Sequence, residues 1–373
     1  MKEHGFNPGD LKGHGFSRAV RGYGNWGTLA SGVHRLTARP PTMTSFRLLL
    51  LVLALMGNLA HAASYQYIRI GNNEDVQTKT TAGIAMLGGG SDLDEAFRWL
   101  CEKGKGGDFL VLRATGDDDY NSYVNGLCKL NSVATLIIPT REAAQEPGVA
   151  DIIRKAEVVF ISGGDQANYI RGWMGTPVED AINADIVAGK PIGGTSAGLA
   201  VLGQYIYSAQ GDAPDDADLA SNQVLTNPYF TRVTLRRDFL KIDLLRNILT
   251  DTHFAKRDRM GRSLTFLARL MSDGWSPGPR EIAIDEKSAI LLERNGKARV
   301  IGSGKGSYFL SVRRGPEVCR DNTPLTFRDI TVYRAPSGSE FNLKEWKGKG
   351  GTSYSLSVLA GQIHSTQANS EVY

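Results

Sequence analysis

Three cysteines in 373 residues are too few to staple a small disulfide-built scaffold, and no two of them stand in a C-x-x-C pair. Histidine is scarcer than its count of six suggests, because four lie at or before His61 and only His253 and His364 follow. With neither C-x-x-C nor H-x-x-x-H spacing, a structural or catalytic zinc centre has no ligand set, and no metal or cofactor is expected. No apolar run reaches the ~20 residues that a membrane-spanning helix needs. The sequence also lacks the Gly-x-x-x-x-Gly-Lys-Ser/Thr loop that cradles phosphates. Its nearest likeness, Gly302 to Gly306, falls between two strand-like runs, so a nucleotide-binding reading has little to stand on.

An excess of one charge is missing as well. The whole chain is +4, but residues 1–62 hold seven Lys or Arg against two Asp or Glu, which leaves the remainder near −1. The basic pI of about 8.8 therefore belongs to the first 62 residues and does not point to nucleic acid. Residues 1–42 carry no hydrophobic periodicity. The stretch MTSFRLLLLVLALMGNLAHAAS then supplies a cation (Arg47), an apolar run from Leu48 to Leu59, and Ala60-His61-Ala62 as a small-x-small cleavage site. The expectation is a non-native or disordered leader over 1–42, a signal peptide over 43–62, and a secreted or periplasmic protein without a stable membrane anchor. In an oxidising compartment Cys101 and Cys128, which flank the strand-like GDFLVLRA, are expected to pair, with Cys319 left over.

What is present is alternation. From Gly83, short apolar runs (GIAML, FLVLRA, ATLII, VVFI, PIGGT) alternate with amphipathic stretches of helical period such as DEAFRWLCEKG and VEDAINADIVAG. This pattern predicts an α/β fold of three layers, with a mostly parallel sheet and helices on both faces. From about residue 280 the pattern changes to consecutive strands. The expected organisation is an α/β catalytic domain over 63–300 and a β-rich extension over 301–373 packed on the same domain. The polar tail is expected to fray at its end.

Ligands of such sheets gather at the carboxyl ends of the strands, where MLGGG, ATGDDD, ISGGDQ and GGTSAG all fall. Within the last, Gly194 to Gly198 fits Gly-x-Ser-x-Gly, a turn that can present Ser196 as a nucleophile. A serine hydroxyl needs a base. His364 sits in the polar tail, so His253, just ahead of a helix-like run, is the candidate. The acid that would orient it stays open between Asp251, Asp285 and Glu286.

GGDQ after an apolar strand, then GTSAG, then DTHFAKRDRMGR, then AIDE resembles the cyanophycinase and peptidase E family in content and order. The resemblance implies a class I glutamine amidotransferase-like (flavodoxin-like) fold and a serine peptidase whose catalytic residues are Ser196, His253 and Glu286. It also implies an oxyanion hole from the backbone of Gly164 and Ala197, and substrate contacts from Gln166, Asp251, Thr252, Arg259 and Arg262. Arg259 and Arg262 would take a substrate carboxylate through their two-donor forks. The implied substrate is cyanophycin, a polyaspartate with arginine on each β-carboxyl, released as β-aspartyl-arginine dipeptides. Thr252 stands where cyanophycinases typically have glutamine, so isoaspartyl or other acidic peptides form the second reading. A binding module without catalysis on the same fold is the reading of another class. A glutaminase would need cysteine at the turn, where Ser196 stands. A homodimer is the oligomer carried forward.

Overall fold

The computed structural model describes residues 64–213 and 217–373. The leader and the signal peptide expected over 1–62 lie outside the described residues. The first half is built as expected from alternating elements. An edge strand, β1 (Gln66–Gly71), precedes β2 (Gly83–Leu87), α1 (Asp94–Gly104), β3 (Asp108–Arg113), α2 (Asp119–Leu127) and β4 (Ser132–Ile137). Helices α3 (Arg141–Ala144) and α4 (Pro147–Lys155) lead to β5 (Val158–Ile161), then α5 (Gln166–Trp173), α6 (Pro177–Ala188), β6 (Ile192–Thr195) and α7 (Ala197–Ala200).

Local chemistry explains these boundaries. Helix α1 opens on Asp94 and Glu95, which suit a helix start, and buries Ala96, Phe97, Leu100 and Cys101 along one face. It stops where Lys105 turns left-handed. Helix α6 has the Thr176 side chain on the Val178 N–H, Pro177 in its first turn, and left-handed Gly189 at its end. Strands β2 and β4 are buried along their whole length, as central strands covered on both faces must be. Burying each Val, Leu or Ile of such a strand contributes roughly 1.5–3 kcal/mol.

Strands β4, β3, β5, β6 and β2 pair in that order and are all parallel. The remaining strands form a second sheet as well as extending the first, which the sequence pattern did not reveal. In chain order they are β7 (Tyr205–Tyr207), β8 (Leu235–Arg237), β9 (Ile248–Asp251), β10 (Arg280–Ile284), β11 (Ser288–Glu293), β12 (Lys297–Gly302) and β13 (Ser307–Ser311). Helices α8 (Ser221–Thr226) and α9 (Met260–Ser272) fall among them. Strand β11 extends the first sheet beyond β2, antiparallel to it, and β12 follows antiparallel to β11, while β7, β9, β10 and β13 belong to the second. The chain therefore changes sheets between Ile284 and Ser288. Later strands divide in the same way: Thr323–Ala335 and Thr352–Leu359 join the second sheet, and Glu340–Asn342 joins the first.

Cys101 in α1 and Cys128 at the end of α2 form a disulfide, while Cys319 is free and half-buried. With the partners 27 positions apart in sequence, closing this loop contributes roughly 3–4 kcal/mol in the chain-entropy view. The tail does not fray. Val372 and Tyr373 pack on the core of the second sheet, and the Tyr354 hydroxyl donates to the Val372 carbonyl at 2.7 Å. The tail's polar composition hid two apolar anchors at its end. Among the described residues no helix is long and apolar enough to cross a membrane.

Candidate active site

Ser196 sits between β6 and α7 with φ 52° and ψ −119°, a backbone conformation that L-residues avoid. The turn is possible because its flanks are bare. A Cβ on Gly198 would lie 2.0 Å from the Ile161 carbonyl oxygen of β5, so α7 can start this close to the sheet only with glycine there. The strain at Ser196 is held in place by β6 below and α7 above, which lifts the hydroxyl out of the strand end.

His253 follows β9 of the second sheet and also has positive φ (46°). Its N–H donates to the Gly88 carbonyl at 2.8 Å, which ties it to the turn after β2 of the first sheet. The ring lies against Gly89, where a Cβ would come within 2.4 Å of Cε1. Glu286 occupies the corner at which the chain passes from β10 to β11. The next residue, Lys287, donates its N–H to the Gly89 carbonyl at 3.0 Å. Three residues from different places in the sequence thus meet at the seam between the two sheets.

The Ser196 Oγ lies 2.7 Å from His253 Nε2, and His253 Nδ1 lies 2.7 Å from Glu286 Oε1. A carboxylate has no proton to give, so the ring carries its proton on Nδ1 and donates it to Glu286. Nε2 is then free to accept from the serine hydroxyl. Burial holds the His253 pKa below its ordinary 6.5, against the pull of Glu286 and with the help of the Arg257 and Arg259 charges. The hydrogen bond from His253 holds Glu286 below the usual carboxylate range. A neutral base beside an ionised orienting acid is the resting state that nucleophilic attack requires.

The other two candidate acids do structural work. Asp285 Oδ1 accepts the Lys256 N–H at 2.8 Å and so braces the segment after His253. Asp251 is buried and receives both Nε and Nη2 of Arg262, with Nε–Oδ2 at 2.8 Å.

Arg262 and Arg259 do not fit the carboxylate clamp expected from the sequence. The Arg262 side chain is 2% exposed and its fork is spent on Asp251. Burial works against its charge, and the Asp251 carboxylate overcomes that, holding the guanidinium charged above its usual pKa. Arg259 is 7% exposed and donates to Asp218 at 2.6 and 2.9 Å and to the Thr252 carbonyl and hydroxyl at 2.9 and 3.0 Å. Asp251 and Thr252 are correspondingly turned inward and are not available as substrate contacts. The physical reason is that α9 starts inside the protein, and the first-turn side chain Arg262 meets β9 instead of solvent. The exposed arginine of the three is Arg257, 44% exposed and 3.8 Å from Glu286.

Gly163 and Gly164 follow β5. A Cβ on Gly163 would stand 3.5 Å from Ser196 Cβ, so this turn forms the wall opposite the hydroxyl. Ala197 opens α7, and its N–H is one that a helix start leaves without an intrahelical partner. Gln166, the first residue of α5, is half-buried and reaches the Tyr207 carbonyl at 3.5 Å. Beyond the turn lies a cavity of about 430 Å³ lined by Asp92, Asp94, Arg113, Asp119, Tyr120 and Tyr123. Asp92 accepts from the Tyr120 hydroxyl and from Thr195, the neighbour of Ser196. Burial raises the Asp92 pKa.

The sequence reading missed Asp218, Arg257 and the saddle role of Gly88 to Gly90. In sequence the glycines mark a ligand turn, and only the second sheet shows that they make room for His253 and Glu286. Nothing in the spacing linked Asp218 to Arg259, because their contact spans two separate elements.

Residues 113–230 match the model of peptidase family S51. This stretch includes Ser196 but not His253 or Glu286. A cyanophycinase of Trichormus variabilis is 27% identical over 220 residues, covering 57% of this chain and 65% of that protein. The alignment thus spans just under two thirds of that relative's length. A cyanophycinase of Geminocystis herdmanii is 22% identical over 284 residues, covering 70% of this chain and 94% of the other. Among solved structures, a peptidase from an acI-B1 actinobacterium superposes with a TM-score of 0.43 at 19% identity, covering 61% of this chain and 90% of its own.

Proposed function

We propose that this chain belongs to the cyanophycinase and peptidase E family and is a serine-type peptidase acting on cyanophycin. The single observation that carries the reading is the unbroken chain of contacts from Ser196 Oγ through His253 to Glu286, with both links at 2.7 Å. Ser196 attacks the peptide carbonyl while His253 Nε2 takes its proton. The N–H groups of Ala197 and Gly164 stabilise the oxyanion, and His253 returns the proton to the leaving amine. Water then repeats the sequence on the acyl-enzyme. Glu286 keeps the ring in its tautomer and stabilises the imidazolium.

Arg257 replaces Arg259 and Arg262 as the group that takes a substrate carboxylate, because its fork is exposed beside the triad. The acidic, tyrosine-walled cavity next to Thr195 is the place this reading gives to a substrate guanidinium, which favours the arginine-bearing polymer over plain isoaspartyl peptides. Export through the signal at 43–62 belongs to the same proposal. The Cys101–Cys128 bridge supports it, since such bridges persist in oxidising compartments. Sequencing the exported protein should give Ala63 as its first residue.

The test is incubation with cyanophycin, β-aspartyl dipeptides and α-aspartyl dipeptides, with products read by mass. Release of β-aspartyl-arginine from the polymer is expected. Turnover of isoaspartyl dipeptides with the polymer untouched would select the second reading, and turnover of none would remove the peptidase.

The pH profile gives a second check. The base works only when neutral, so kcat/KM should rise with pH through the His253 pKa, which lies below 6.5. Arg257→Ala removes a cation that disfavours the imidazolium, and should move this acid limb to higher pH. Glu286→Gln removes the carboxylate that favours the imidazolium, and should move it lower. Shifts in one common direction would contradict the assignment of the two groups.

A further inference from the structure

Tyr373 lies 120 positions after His253 in the sequence, yet it is built into the segment that follows that histidine. Its hydroxyl accepts the Met260 N–H at 2.8 Å and donates to Asp258 Oδ1 at 2.9 Å. Met260 is the first residue of α9, and Arg259 at the N-cap makes no side-chain capping bond. A tyrosine from elsewhere in the chain thus does what a capping Ser or Asp does in most helices. The ring meets Phe254 edge-on at 5.8 Å and 81°, and Tyr308 at 5.9 Å and 87°. Phe254 is the residue directly after His253.

The segment so held is a tight turn. Arg257 donates its N–H to the His253 carbonyl at 2.9 Å, Arg259 to the Phe254 carbonyl at 2.9 Å, and Asp258 sits at φ 48°. On the inner side the turn is braced by Asp285 through the Lys256 N–H. Tyr373 is the matching brace at its other end, bonded to Asp258 and Met260. Arg257 projects from this turn, so its place relative to Ser196 depends on how firmly both braces hold.

We propose that Tyr373 is a positioning residue for substrate recognition, fixing the 253–260 turn so that Arg257 stands ready beside the triad. The proposal rests on the peptidase reading for its kinetic consequence but not for its structural one. Tyr373→Phe keeps the ring and loses both hydroxyl bonds, whereas Tyr373→Ala loses the ring as well.

The structural arm of the test is hydrogen exchange over residues 253–262. Losing a hydrogen bond of ordinary net strength should speed exchange there about five- to tenfold in Tyr373→Phe, with the rest of the protein unchanged. The kinetic arm compares a substrate with a free carboxylate and its amidated counterpart. Tyr373→Phe should raise KM for the free acid about three- to tenfold with kcat within about twofold, and Tyr373→Ala should raise it further. Neither should change KM for the amide. Unchanged exchange in 253–262 would overturn the brace, and equal KM effects on acid and amide would overturn its link to recognition. If the wild type cleaves nothing while exchange responds as expected, the peptidase reading has failed and the brace stands.

Discussion

Ser196→Ala and His253→Ala each abolish turnover, by on the order of 10⁴- to 10⁶-fold in kcat, while the folded structure persists. Both side chains sit at strand ends on the seam between the sheets, and neither fills the core. The double substitution should be no worse than either single one, because the hydroxyl without its base, or the base without its hydroxyl, already does nothing. Glu286→Gln should cost less, since Glu286 orients and stabilises but never bonds to substrate. Rates on the peptide substrates, together with far- and near-ultraviolet circular dichroism to show the fold, make the measurement. Additive losses would mean that the three groups do not act as one unit.

Arg262→Ala lowers stability by about 3–5 kcal/mol, the usual cost of leaving a buried charge without its partner. Asp251 would be that charge, buried among β9, β10 and α9 with Glu281 close by, whose own carboxyl burial and the Asp251 charge already push toward neutrality. Arg257→Ala should behave in the opposite way. An exposed side chain with one long ion contact contributes within about 0.5 kcal/mol to folding, so denaturation should be unchanged. Its kcat/KM on substrates with a free carboxylate should fall about 10- to 100-fold, the worth of a charge-assisted hydrogen bond, and Arg257→Lys should recover little of it. The two variants measured side by side by urea denaturation and steady-state kinetics separate the roles. An Arg262→Ala protein of wild-type stability with a raised KM would restore the clamp.

How far the sequence could be read depended on how local each feature is. The β2-to-β6 half is visible because each element carries its own signal: apolar runs bounded by glycine, helical spacing, and Thr176-Pro177 at a start with Gly189 at an end. The order of the five parallel strands is not visible, since pairing is decided between segments far apart. The later strands read as consecutive, and so as one β-rich extension. They alternate between two sheets, and a strand's own alternation of apolar and polar residues does not say which sheet it will join.

The same division runs through the site. The sequence by itself determined that Ser196 stands in a glycine-flanked turn at a strand end, and it offered His253 as the base over His364, which the structure places in a paired strand, Gln362–Ser365. It left Asp251, Asp285 and Glu286 unseparated, with the resemblance alone preferring Glu286. Only the tertiary structure shows that Glu286 faces the ring, Asp285 braces a backbone turn and Asp251 neutralises Arg262. It also decided that Arg259 and Arg262 point inward while Arg257 stays in solvent, and that Tyr373 closes on the turn beside the base. The physical reason is that a residue's chemical type is fixed by the chain, whereas its burial and its partner are fixed by what packs against it. Here those neighbours arrive from a second sheet whose strands lie far away in sequence.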